Sequence, residues 1–109
     1  MLPNYQHAFI DPSKVRDYLL SPSHPIGRFK ASVFSALGYT QENWQQLRDD
    51  LFRLAQTGIV SPGQPSSFGQ TFEVGGNLVG PSGRTGPFIT VWMVRNGEDI
   101  PRFVTAFPR

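Results

Sequence analysis

Apolar side chains in the first half of the chain recur at the three- and four-residue spacing of helices. Asp11 and Pro12 are typical of a helix start, because aspartate accepts hydrogen bonds from free backbone N–H groups and proline has no N–H to satisfy. In this first helix one apolar face is predicted from Val15, Tyr18 and Leu19. Two further helices are predicted, from about Gly27 to Leu37 and from the N-cap Thr40 to the stop at Gly58.

The second predicted helix carries one charged residue within its apolar face. That face is predicted from Ile26, Phe29, Val33, Phe34 and Leu37. Lys30 lies among them, and two interpretations are open. Its aliphatic stem could pack while the ammonium reaches water, or the side chain could point into a cleft beside the core.

Apolar positions alternate in the second half, which is the spacing of strands. The predicted strands are 68–74, 78–79, 88–95 and 102–107, and the predicted loops and turns are 61–67, 75–77 and 81–87. Short connections favour an antiparallel meander. In the central strand the face of Ile89, Val91 and Met93 is predicted to pack on the helices. The other face, Phe88, Thr90, Trp92 and Val94, is expected to be partly open.

The predicted fold class is α+β, with three N-terminal helices followed by an antiparallel sheet of about four strands. A length of 109 residues fits one domain, with a helical half over about 1–58 and a β-meander over about 59–109. No apolar run approaches the ~18 residues of a membrane helix, and the first ten residues do not resemble a secretory signal. A cytoplasmic protein is therefore expected.

Composition excludes several chemistries. The chain has no cysteine, so disulfides, thiolate zinc sites and cysteine nucleophiles are excluded. Its two histidines are not clustered with other metal ligands, and we predict neither a metal nor a cofactor. A net charge of +2, without a charged block, does not by itself indicate a nucleic-acid or membrane partner.

His24, Arg28 and Lys30 surround the predicted start of the second helix. Free backbone N–H groups and the helix dipole favour an anion such as phosphate there. The plainer alternative for His24 is an ordinary turn residue between prolines, and for Arg28 a solvated surface charge.

Six further residues in the second half are candidates for a site. Arg84 lies between glycines where backbone can approach a ligand, and Arg102 precedes Thr105 in the last strand. The plainer alternatives are a turn charge for Arg84 and a cross-strand ion pair for Arg102. Polar or stacking groups that could bind a base are Gln70, Thr90 and Trp92, whose alternative is an ordinary place in the sheet.

These groups would suffice to cleave RNA without a metal. The 2′-OH must lose a proton, the phosphate charge must be neutralised and the 5′ oxygen must gain a proton. His24 or Lys30 could move protons, and Thr105 is a further catalytic candidate. Charge could be neutralised by Arg28, Arg84 or Arg102.

The most specific motif is His24–Ala31, within a longer segment that reads LSPSHPIGRFKASVF. It is followed by the short motifs Leu37-Gly38-Tyr39, Phe68-Gly69-Gln70, Gly80–Arg84, Thr90-Val91-Trp92 and Pro101–Thr105. Across almost the whole chain these residues resemble a family of small bacterial proteins of unknown function. Similar domains occur as the C-terminal tips of polymorphic and contact-dependent growth inhibition toxins.

The resemblance implies a fold like that of the barnase–EndoU–colicin–RelE group of metal-independent ribonucleases. It implies a toxin-type ribonuclease, with tRNA as one target, neutralised by a small antitoxin or immunity-type protein encoded nearby. Ile89 stands where the family pattern has a basic residue, and Phe68 where it has tyrosine. A catalytically inactive interaction module is therefore the alternative function, and a small-molecule binding protein using the cleft near Lys30 is a third.

Overall fold

The computed structural model describes residues 1–109. The helical segments are a 3₁₀ helix Tyr5–His7, a π-helix Ser13–Leu19, and the α-helices α1 (Arg28–Ala36) and α2 (Trp44–Thr57). They are followed by the strands β1 (Ile59–Ser66), β2 (Gly69–Val79), β3 (Thr85–Arg95) and β4 (Pro101–Pro108). The strands form one sheet in the order β1-β2-β3-β4, each antiparallel to its neighbour. No helix in the chain is both long enough and apolar enough to span a membrane.

The predicted fold class, three helices followed by an antiparallel sheet, is wrong in its helical part. Only two segments are α-helices, because the predicted first helix is a π-helix in which Leu20 N–H donates to Val15 O, five residues back. Three apolar residues are too short a pattern to fix the helix type. The N-terminal segment also joins the sheet, where Phe9 forms a parallel bridge with Arg102 on the outer edge of β4.

Two segments that were predicted as a loop and a turn belong to strands in the structure. The stretch 61–67 lies almost wholly in β1, where Pro62 pairs with Phe72 at the sheet edge. Proline is tolerated there because an edge strand has backbone groups that need no partner in the sheet. The predicted turn 75–77 is the middle of β2, and a Cβ on Gly76 would lie 2.7 Å from Leu54 Cδ2. The glycine therefore lets α2 pack closely on the sheet.

The helix-covered face of β3 is the opposite of the predicted one. Phe88, Thr90 and Trp92 are buried, whereas Ile89 and Val91 on the other face are only half-buried. The Trp92 indole N–H donates to Thr90 Oγ1 (2.9 Å), and the Thr90 hydroxyl donates to Val74 O (2.9 Å). These bonds satisfy both polar groups, so that Thr90 and Trp92 can lie in the core without the cost of unpaired donors.

The predicted apolar face of α1 is only partly buried. Phe34 is fully buried and stacks on Phe88 with ring centroids 5.1 Å apart. Ile26 and Phe29, at the N-terminal end, are 66% and 68% exposed. The helix therefore anchors its C-terminal half in the core and projects its N-terminal end toward the surface.

A cleft between the π-helix, α1 and β4

An open cleft of about 580 Å³ lies where the N-terminal end of α1 meets the π-helix and β4. Its walls are formed by Ser13, Lys14, Asp17, Tyr18, His24, Lys30, Val104 and Thr105. Three of the residues singled out from the sequence, His24, Lys30 and Thr105, meet there from three separate segments. The cleft is the place where side chains able to bind an anion and move a proton come together.

Lys30 is at the centre of this cleft. Its ammonium donates to Thr105 Oγ1 (2.7 Å) on β4 and to Tyr18 OH (3.0 Å) on the π-helix. The ammonium also lies 5.1 Å from the centroid of the Tyr18 ring. An ammonium has three N–H donors, so one remains for a bound anion. Of the two interpretations of Lys30, the structure supports the side chain pointing into a cleft.

Gly27 allows α1 to approach the π-helix closely enough for this contact. A Cβ on Gly27 would lie 1.9 Å from Tyr18 O and 2.8 Å from the Tyr18 carbonyl carbon. No side chain fits at these distances. Gly27 has ordinary helical dihedral angles, so the backbone conformation does not require a glycine here. The requirement is steric, because α1 and the π-helix approach too closely for a side chain.

His24 is fixed by the backbone that follows it. Its Nδ1 accepts hydrogen bonds from the N–H groups of Ile26 (3.0 Å) and Gly27 (2.9 Å). The imidazole also packs edge-on against Tyr18, with ring centroids 5.1 Å apart. Nε2 makes no hydrogen bond within the protein. The turn therefore uses one ring nitrogen and leaves the other for a ligand.

Tyr18 is a member of the site that the sequence pattern did not single out. It was predicted as part of an apolar helix face, yet its hydroxyl lies in the cleft. The hydrogen bond from Lys30 is the main cause that lowers the pKa of Tyr18 below its usual value of 10.0, with a smaller effect from Thr105, against burial that raises it. Tyr18 and Lys30 are twelve residues apart, and no sequence pattern predicts their contact. They meet because of the π-helix and the close approach at Gly27.

A bulge in β4 brings two successive residues to the cleft. Thr105 pairs with Val91 and Phe103 with Trp92, which leaves Val104 as the extra residue. Without the bulge, residues two apart would share a face and neighbours would alternate. Val104 and Thr105 instead both line the cleft.

The three predicted arginines lie outside the cleft. Arg102 is bound to the Glu98 carboxylate (3.2 and 3.3 Å) and lies over the Phe9 ring, 5.6 Å from its centroid. Arg84 is exposed in a loop whose Ser82 N–H donates to Leu37 O at the C-terminal end of α1. That end of the helix is about 10 Å along the helix axis from Lys30. Arg28 lines a different cavity and stacks on Phe29, 4.8 Å from the ring centroid.

The three predicted base-binding residues have structural places in the sheet. Thr90 and Trp92 are fully buried, so no ligand can reach them without unfolding. The Gln70 amide donates to Gly63 O and Thr71 O, both at 2.8 Å, and holds the irregular part of β1 against β2. The described structure therefore gives none of the three a surface at the cleft.

Residues 1–109 match the model of a protein family described as a domain of unknown function, DUF6883. The chain belongs to this family. The resemblance to an uncharacterised family is thereby confirmed, whereas the likeness to ribonucleases stays a prediction. A search of curated proteins found no match to the DUF6883 chain.

Among solved structures, the DUF6883 chain is similar to a chain of a contact-dependent growth inhibition toxin–immunity protein complex from Klebsiella pneumoniae 342. The TM-score is 0.71, the sequence identity is 19%, and the match covers 96% of each chain. At this identity the likeness shows a shared fold.

Proposed function

We propose that this chain is the toxin-like component of a toxin–immunity type system and cleaves RNA without a metal ion. The observation that carries the proposal is the position of Lys30. Its ammonium donates to Tyr18 and Thr105 at the same time, in an open cleft that His24 also borders. A cation held by two hydroxyl groups, with one free N–H, suits a phosphate that gains charge in the transition state.

The electrostatics of the cleft support a phosphodiester as its ligand. Lys14 and Lys30 supply two ammonium groups, and His24 supplies an unpartnered ring nitrogen. The one carboxylate in the lining, Asp17, is paired with Arg16 at 2.9 Å. A phosphate group in the cleft is therefore close to two cations and to one anion that is already neutralised.

We propose a protein partner of the immunity kind for the same chain. Support comes from the solved contact-dependent growth inhibition toxin–immunity protein complex, one chain of which shares the fold. RNA as the substrate rests on the cleft alone.

The proposed activity is tested with the purified chain and bulk bacterial tRNA in the presence of EDTA. We expect cleavage to products ending in a 2′,3′-cyclic phosphate. Lys30→Ala should lower the rate by about 10²–10³-fold, the usual cost of removing one donor aimed at the charge that develops in the transition state. Arg84→Ala is the matched control, because this arginine is exposed and lies away from the cleft.

Melting temperatures separate loss of chemistry from loss of folding. Lys30→Ala should change the melting temperature by only a few degrees, since Lys30 is half-buried and pairs with hydroxyl groups rather than a carboxylate. Intact tRNA with the wild-type chain would contradict the ribonuclease proposal and favour the interaction module. A fully active Lys30→Ala variant would remove the cleft as the site.

A further inference from the structure

The hydrogen bonds of His24 fix the tautomer of its neutral ring. A nitrogen that accepts from two backbone N–H groups has its lone pair directed at them, so Nδ1 carries no proton. In the neutral ring the proton is then on Nε2. Protonating Nδ1 would break both bonds at the start of α1 and leave two N–H groups facing a new N–H.

His24 is consequently a poor proton carrier in this fold. Its Nε2 already has a proton and cannot accept one, and its Nδ1 is occupied. The Nε2–H group of His24 is instead a fixed donor in the cleft, and it can bind a phosphate oxygen throughout the reaction. The group that takes up a proton has to be found elsewhere.

The other titratable groups of the cleft leave one candidate. Both carboxylate oxygens of Asp17 accept from Arg16, at 2.9 Å each. Lys14 and Lys30 are ammonium groups, which have no lone pair to offer. Tyr18 remains, with its oxygen 3.0 Å from the Lys30 ammonium that stabilises its ionised form.

Building on the proposed function, we infer that Tyr18 is the general base of the site and that His24 is a fixed N–H donor to the phosphate. The Tyr18 phenolate removes the proton from the 2′-OH, and O2′ forms its bond to phosphorus. The bond from phosphorus to O5′ breaks, and the Lys30 ammonium gives a proton to O5′. The products are a 2′,3′-cyclic phosphate and a 5′-hydroxyl.

The contact between Tyr18 and Lys30 also resets the site. After one turnover Tyr18 is a neutral phenol and Lys30 a neutral amine. A proton passing from the phenol to the amine across their 3.0 Å hydrogen bond restores the phenolate and the ammonium. No other group is needed to return the proton.

The charges around Tyr18 set the direction of its pH dependence. It faces Lys14 and Asp17 on the π-helix, His24 in the loop and Lys30 on α1, while β4 contributes only Val104 and the Thr105 hydroxyl. Lys30 and Lys14 act to lower the pKa of Tyr18 below 10.0. Because the base is the ionised phenol, the cleavage rate should rise with pH up to that lowered pKa.

The first experiment measures single-turnover cleavage of bulk tRNA against pH for three variants. Tyr18→Phe should lose about 10²–10⁴-fold in rate and the rising alkaline limb with it. His24→Gln, whose amide can place an N–H near the Nε2 position, should stay within about tenfold of wild type and keep the limb. His24→Asn keeps an acceptor for the two backbone N–H groups but has no group at Nε2, and should lose more rate than His24→Gln.

The second experiment determines the tautomer of His24 without any substrate. In ¹⁵N NMR of the labelled wild-type chain near neutral pH, Nδ1 of His24 should give the shift of an unprotonated nitrogen and Nε2 that of a protonated one. The His24→Asn variant assigns the signal, because the chain has only one other histidine. A proton on Nδ1 would overturn the donor role.

The outcomes distinguish this inference from the proposed function. A wild-type chain that leaves tRNA intact overturns both. Cleavage that survives Tyr18→Phe with its alkaline limb overturns only the role of Tyr18. Complete loss of activity in both His24→Gln and His24→Asn, with normal folding, would instead make His24 the proton carrier.

Discussion

At the scale of single residues, Gly27 is the position on which the cleft depends most directly. A methyl group there meets the Tyr18 carbonyl oxygen at 1.9 Å, a contact that only a shift of α1 or of the π-helix can relieve. The shift would separate Lys30 from Tyr18, which are joined by a single hydrogen bond. A substitution that adds one carbon should therefore act on the site as well as on stability.

We expect Gly27→Ala to lower the free energy of unfolding by about 1–3 kcal/mol, the range for overpacking, and to remove most of the cleavage activity. Gly86→Ala is the control, because a Cβ there meets only the Phe88 ring at an ordinary 3.4 Å. Urea unfolding and tRNA cleavage measure the two effects. Unchanged stability and activity in Gly27→Ala would show that the two segments can separate without consequence.

At the scale of elements, the two faces of β3 show how strand patterns can mislead. Ile89, Val91 and Met93 are uniformly apolar, whereas the opposite face includes Thr90. The structure buries the second face, because Thr90 bonds to the Trp92 indole and to β2, and because Trp92 has the larger apolar surface. Alternation identifies a strand, but not which of its faces meets the helices.

Two substitutions on adjacent residues of β3 test this assignment. Trp92→Ala should lower the free energy of unfolding by about 3–5 kcal/mol, as expected for a buried aromatic residue. Val91→Ala, on the half-buried face, should cost less than about 1.5 kcal/mol. The measurement is urea unfolding followed by circular dichroism. A larger loss of stability in Val91→Ala than in Trp92→Ala would show that the face of Val91 is the one that packs on the helices.

Other elements differ from the sequence prediction for reasons of context. The prolines of β1 and the glycines of β2 favour loops locally. Pro62 is acceptable in β1 because this strand lies at the edge of the sheet. Gly76 is necessary in β2 because Leu54 packs too closely against it for a side chain. The π-helix has no pattern of its own, since its three apolar residues also fit an α-helix. Helix α2, with five buried residues over fourteen positions, was predicted to within a few residues.

At the scale of the whole molecule, the N-terminal segment ties the helices to the sheet. Leu2 N–H donates to Ala55 O at the end of α2, and Phe9 N–H donates to Pro101 O on β4. Phe103 N–H donates back to Phe9 O. Residues far apart in sequence thus share a backbone network, from which we propose that residues 1–109 unfold as one unit.

Two tryptophans allow a test of this proposal, because Trp44 begins α2 and Trp92 lies in the sheet core. In a Trp44→Phe variant, fluorescence reports on the sheet while far-ultraviolet circular dichroism follows the helices. Both signals should give the same urea midpoint and slope, as expected for a two-state transition. Separate transitions would show that the helical part and the sheet are independent units.

The sequence alone determined the helical and alternating patterns, the lack of thiol chemistry and the motif in which His24 and Lys30 are six residues apart. Those features are local, so spacing and side-chain chemistry suffice to find them. Only the tertiary structure decided that Thr105 and Tyr18 meet Lys30, that Thr90 and Trp92 are buried, and that the predicted arginines lie elsewhere. Such contacts depend on the bulge at Val104, on the close approach at Gly27 and on the face of the sheet that the helices cover, and these follow from packing between distant segments.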